Sequence, residues 1–128
     1  MRLLTRTITE TVIQECRTKL LEARMDLLNR VRRQRSEFET LDKSGGDEAD
    51  QTMALLAEHD FLASQQRLRE LLMEIDFALS RIQSGTYGTC EETEEQIEVE
   101  RLRAIPWTRL SIEGAEIREA VRRKFARP

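Results

Sequence analysis

Aromatic side chains make up only 5% of this 128-residue chain, which leaves little bulky material for the interior of a wide globule. Proline occurs twice and glycine five times, so long stretches carry no helix breaker. The two cysteines, Cys16 and Cys90, are far apart and build no disulfide framework. No run is apolar enough to span a membrane, and the start MRLLTRTITE lacks the apolar core of a signal peptide, so a cytoplasmic, reducing location is predicted. The 21 basic and 24 acidic residues leave a net charge of -3, so no global positive field exists and any nucleic-acid role must be local or indirect.

What is present is Glu, Arg and Leu in helical periodicity. Thr7 and Glu10 have the spacing of a capping box, which opens a helix there. Ile13, Leu20 and Leu27 repeat every seven residues, and Val31, Phe38 and Leu41 continue the stripe. With no proline or glycine from 8 to 44, the spacing predicts a helix of roughly 50 Å at 1.5 Å per residue. The segment DKSGGDEAD, residues 42–50, has the composition of a turn. A second helix is predicted from about Asp50 to Ser84, with Phe61, Leu68, Ile75 and Ile82 at seven-residue steps and Leu72 and Leu79 beside them; Gly85 ends it. Two such helices bury their stripes on each other. The fold is therefore read as all-α: a long antiparallel coiled-coil hairpin over 1–84, its tip at about 42–50, with a small head and a terminal helix over 85–128.

The head has few apolar residues with which to make a core: Tyr87, Ile97, Val99, Leu102, Ile105, Trp107, Leu110, Ile112, Ile117, Val121 and Phe125. Its last helix is expected from about Ser111.

Ala78, Leu79, Arg81, Ile82, Gly85, Tyr87, Gly88 and Cys90, followed by Arg101, Leu102, Ala104 and Pro106, carry a pattern that resembles the C-terminal part of the DksA/TraR family of bacterial RNA polymerase-binding transcription factors. Dense over 78–110, the resemblance takes in most of the chain once the hairpin and its acidic tip are counted. The family's finger is usually a four-cysteine zinc site, and its four places fall here on Cys90, Thr93, Ser111 and Gly114. One sulfur of four survives, and the glycines that usually follow the ligands are replaced by Glu94 and Glu98, which removes backbone freedom used by a zinc knuckle. On this reading no zinc is expected, and the head is a degenerate zinc finger held by packing.

The family's hairpin tip carries two aspartates and an alanine, matched here by Asp47, Asp50 and Thr52. The resemblance implies that this tip enters the secondary channel of RNA polymerase and acts near its active centre, altering promoter-complex stability without sequence-specific DNA binding. The residues alone favour helix capping by Asp47 and Asp50. The family's nucleotide partner, guanosine tetraphosphate, is contacted by basic residues that fall here on Glu74, Ile105 and Ala115, so dependence on it is not expected. Two other functions remain open: a structural or adaptor coiled coil, and a cleavage stimulator like the Gre factors, with a metal ion held by the tip acids.

The remaining features have plain readings. Arg30, Arg32, Arg33 and Arg35 read as a solvated helix face with neighbouring glutamates as partners, and Arg122, Arg123, Lys124 and Arg127 as an exposed tail. His59 has no nucleophile to activate, and no cluster of nucleophile, base and oxyanion donors can be assembled, so an enzyme is not expected. Glu91 and Glu92 should disfavour a thiolate at Cys90, while Cys16 should be a small packing residue. Leu21 and Leu28 are candidates for self-association.

Overall fold

The computed structural model describes residues 8–40 and 48–126. Four helices follow in order: α1 (Glu10–Glu39), α2 (Glu48–Ser84), α3 (Val99–Ala104) and α4 (Ile112–Ala126). Among the described residues there is no strand, only an isolated bridge between Thr89 and Gln96. No described helix is long and apolar enough to cross a membrane. The all-α reading holds.

The start of α1 falls later than the capping box predicts. Thr9 supplies the cap, its Oγ1 accepting the Val12 N–H at 3.2 Å; Thr7 lies outside the described residues. The end of α2 is where Gly85 places it. With φ at 82° Gly85 turns the chain back, so that its own N–H reaches Ile82 O at 3.3 Å and the Thr86 N–H reaches Arg81 O at 2.9 Å. These two bonds satisfy carbonyls that the last turn would otherwise leave orphaned.

The chain divides into two compact units, one of Ala23–Met73 and one of Met1–Glu22 with Glu74–Pro128. In the first, Phe38 stacks on Phe61 with centroids 4.2 Å apart, and Gln34 Oε1 accepts from Ser64 Oγ at 3.1 Å and Gln65 Nε2 at 3.2 Å. Rising numbers on α1 meet falling numbers on α2, so the two long helices form the antiparallel hairpin. Leu27 and Leu68 are buried in it, as the seven-residue stripe requires.

Gln65 is the polar exception. It occupies the stripe position that Leu72 and Leu79 fill in the following heptads, and it is 2% exposed. A buried amide is tolerated only when bonded, and Gln34 supplies the acceptor. Gln34→Ala strands that amide, with an expected loss of about 1–3 kcal/mol of unfolding free energy. Urea melts of the two proteins check this; coincident curves would mean that water satisfies Gln65 instead.

In the second unit, Val12, Cys16 and Leu20 of α1 and Ile75 and Ala78 of α2 are buried with Tyr87, Cys90, Ile97 and Leu102 of the head. Specific bonds pin the head to α1. Cys16 Sγ donates to Leu102 O at 3.7 Å, Lys19 Nζ to Arg103 O at 2.9 Å, and Glu15 pairs with Arg103 at 3.1 Å. The buried Tyr87 hydroxyl donates to Pro106 O at 2.8 Å, and burial, together with its contact to Cys16, pushes its pKa above the ordinary phenol value.

Four residues expected in the head core are not there. Ile112, Ile117, Val121 and Phe125 are exposed, Phe125 to 78%. The entry to α4 is packed through the buried Ser111 and Gly114, and among the described residues Val121 and Phe125 further along it stay exposed.

Candidate functional site

The head is built around Cys90. A tight turn follows it, closed by Cys90 N–H to Glu95 O at 2.7 Å and Glu94 N–H to Cys90 O at 2.9 Å. Glu94 takes a positive φ of 64°. The loss of glycine at this place therefore did not remove the knuckle, contrary to expectation. A non-glycine residue holds the left-handed conformation at a cost of about 1–2 kcal/mol, met by the closed turn. Glu98 is the N-cap of α3, with its Oε1 accepting the Ile112 N–H at 3.2 Å.

Thr93, Ser111 and Gly114 converge on Cys90, as four ligand places of a finger would. Ser111 Oγ donates to Cys90 Sγ at 3.4 Å and the Thr93 N–H does so at 3.5 Å. The Gly114 N–H bonds Ser111 Oγ at 3.0 Å, which caps α4. A Cβ at Gly114 would stand 2.5 Å from Cys90 Sγ, so the residue there must be glycine for this packing.

The thiol is also not what its neighbours in sequence suggest. Burial pushes the Cys90 pKa up, but hydrogen bonds from Ser111 and Thr93 outweigh it and bring the value down to about 6. Glu91 and Glu92 do not repel the sulfur because they turn to guanidinium groups. Arg109 holds Glu74 through two bonds, at 2.7 and 3.3 Å, and Glu91 through a third at 3.1 Å. Arg118 bonds Glu92 at 2.9 Å. Arg109 also lies over the Phe77 ring, 5.1 Å from its centroid. Nothing in the periodicity pointed to Arg109, whose two acidic partners, Glu74 and Glu91, are distant from it in sequence.

At the hairpin tip Asp47 lies outside the described residues. Asp50 stands exposed in the first turn of α2, where a carboxylate favours the helix dipole, and Thr52 is exposed two residues on. Two residues apart on a helix they point to different faces, so they cannot grip one small ligand together. Beside them Met53, Leu55 and Leu56 are exposed, an apolar set that the stripe analysis passed over because it began at Phe61. His59 is exposed next to Asp60, with nothing to activate.

A helical hairpin carrying a small head in which a tight turn brings Thr93, Ser111 and Gly114 onto Cys90 defines a class of head-bearing helical hairpins. The comparisons identify the particular family. Residues 85–120 match the prokaryotic dksA/traR C4-type zinc finger. The chain is 35% identical over 101 residues to the RNA polymerase-binding transcription factor DksA of Caulobacter vibrioides (strain NA1000 / CB15N), covering 79% of this chain and 71% of that protein. It is 33% identical over 108 residues to an uncharacterized protein of Aquifex aeolicus (strain VF5), covering 82% and 74% respectively. The solved structure of transcription factor DksA2 from Pseudomonas aeruginosa superposes with a TM-score of 0.80 at 32% identity, over 95% of this chain and 97% of that one. The chain belongs to the DksA/TraR family.

The family match corrects the expectation of a head without a cofactor, since a C4-type zinc finger over 85–120 points to zinc binding by this segment. The four positions lie together, while their donors do not make four thiolates: Cys90 offers a sulfur, Thr93 and Ser111 offer hydroxyls, and Gly114 offers no side chain.

Proposed function

We propose that this chain is a transcription regulator that binds bacterial RNA polymerase, placing its hairpin in the secondary channel so that the tip acts near the active centre. It works by binding, not as an enzyme, and without sequence-specific DNA contact, in the cytoplasm where polymerase is found. The observation that carries this reading is the pairing, in one chain, of a DksA-like head with an acidic hairpin tip whose Asp50 is exposed at the start of α2. Asp50, with Asp47 and Thr52, supplies polar contacts to mobile parts of the enzyme. A ligand that contacts one polymerase conformation better than another shifts the population by that difference, and promoter-complex lifetime changes with it.

Titration of purified bacterial core RNA polymerase with fluorescently labelled protein tests the reading. Saturable binding at micromolar concentration or below is expected. A second reading, an adaptor that pairs with other helices, draws on the exposed Met53, Leu55, Leu56 and Leu62 of α2. It gains if polymerase does not bind and the protein self-associates or captures helical peptides through those residues.

A further inference from the structure

Six arginines midway along the hairpin are not ion-paired as a solvated face would be. Arg30, Arg33 and Arg35 of α1 and Arg67 and Arg69 of α2 make no ion pair or hydrogen bond among the described residues, and Arg32 only bonds Asn29 Oδ1 at 3.4 Å. All six are exposed. The nearby acids are Asp26, Glu37, Glu39 and Glu70, none of them ion-paired to these arginines, and the Glu70 carboxylate accepts from Gln66 at 3.0 Å.

The register set by Gln34 with Ser64 and Gln65, and by Phe38 with Phe61, continues to place Arg32 level with Arg67 and Arg30 level with Arg69. Helical phase puts Arg30, Arg33 and Arg67 on one side of the hairpin and Arg32, Arg35 and Arg69 on the other. Each side thus carries three guanidinium groups within about 8 Å along the helix axis. In a chain of net charge -3 this is a local concentration against the overall sign.

Guanidinium forks fit phosphate and carboxylate alike. The neighbourhood decides between them. A protein interface needs apolar anchors at its centre, and the nearest exposed apolar side chains, Met25, Leu62 and Met73, flank the arginines rather than standing among them. Backbone recognition of a polyanion needs none. The short axial span suits two or three phosphates of a flexible strand rather than the face of a duplex.

We propose that this arginine belt is a phosphodiester-binding surface for single-stranded nucleic acid, recognising the backbone and not the sequence. It adds a partner to the proposed polymerase regulator and does not depend on that reading, since binding is expected of the protein alone.

The test is fluorescence anisotropy of a labelled short oligouridylate titrated with the full-length protein at several potassium chloride concentrations. Micromolar binding is expected at low salt, with a slope of log K against log salt of about -2, which corresponds to three phosphates on a single strand. Arg30→Gln, Arg33→Gln and Arg67→Gln together should weaken binding at least about tenfold and flatten the slope, whereas lysine at the same three positions should keep it. Arg123→Gln with Lys124→Gln, in α4, should leave it unchanged. Circular dichroism shows whether the variants keep their helices; lost binding in helical protein supports the proposal. It is overturned by absence of binding at low salt, by binding that ignores the belt substitutions, by preference for duplex, or by equal competition from polyglutamate. The last result would make the belt a surface for acidic proteins. Failure of polymerase to bind in the separate titration leaves this outcome untouched.

Discussion

Gly114→Val should lower the stability of the head by about 3 kcal/mol, seen as a fall in Tm of roughly 10 °C. The first added atom already stands 2.5 Å from Cys90 Sγ, with Glu92 Cβ at 3.3 Å and Ser111 Oγ at 3.4 Å around it. Cys90 cannot step aside cheaply, because it is fully buried and bonded to Ser111 and to the Thr93 N–H. Valine adds two further methyl groups and displaces the sulfur from both. Gly114→Ala makes the same first contact but gains about 1 kcal/mol of helix propensity, so its net loss is smaller. Differential scanning calorimetry measures both. An unchanged Tm in the valine variant would mean that α4 is not seated on Cys90.

The second large effect is expected at the tip. Asp47→Ala with Asp50→Ala should abolish the change in promoter-complex lifetime that the intact protein produces, while its affinity for polymerase stays within about threefold. If the intact protein alters the lifetime about tenfold, the tip contributes about 1.4 kcal/mol of differential interaction, and removing it returns the lifetime to that of polymerase alone. Filter-binding decay of preformed promoter complexes measures this. Full activity in the double variant would remove the acids from the mechanism and favour the apolar neighbours Met53, Leu55 and Leu56.

The hairpin was readable because its information is periodic. Leu20, Leu27, Leu68 and Ile75, all placed in the stripes by seven-residue steps, are buried, and Gly85 ends α2 in the motif that only a residue tolerant of positive φ forms easily. The head was less readable because its order comes from single contacts. The six-residue α3 is too short to show a period, and Glu94 holds a backbone conformation that its residue type argues against. The stripe of α4 has helical spacing, yet spacing cannot say whether anything packs on it, and Ile117, Val121 and Phe125 are exposed.

At the site the same division holds. Cys90, Thr93, Ser111 and Gly114 were singled out by the family resemblance and lie together, but Gly114 is explained by a close approach visible only in three dimensions. The thiol of Cys90 was judged by its sequence neighbours Glu91 and Glu92, whereas Arg109 and Arg118 hold those acids and Ser111 sets the sulfur's surroundings. Arg30, Arg32, Arg33 and Arg35 have the sequence of a paired helix face, yet none of them makes an ion pair among the described residues.

The central claim is that the hairpin works from the secondary channel of RNA polymerase. Competition tests it most directly: labelled protein bound to core polymerase is challenged with a ligand known to occupy that channel. The account predicts that the two exclude each other, with displacement complete at saturating competitor. Simultaneous binding would contradict it, and would place this protein elsewhere on the enzyme.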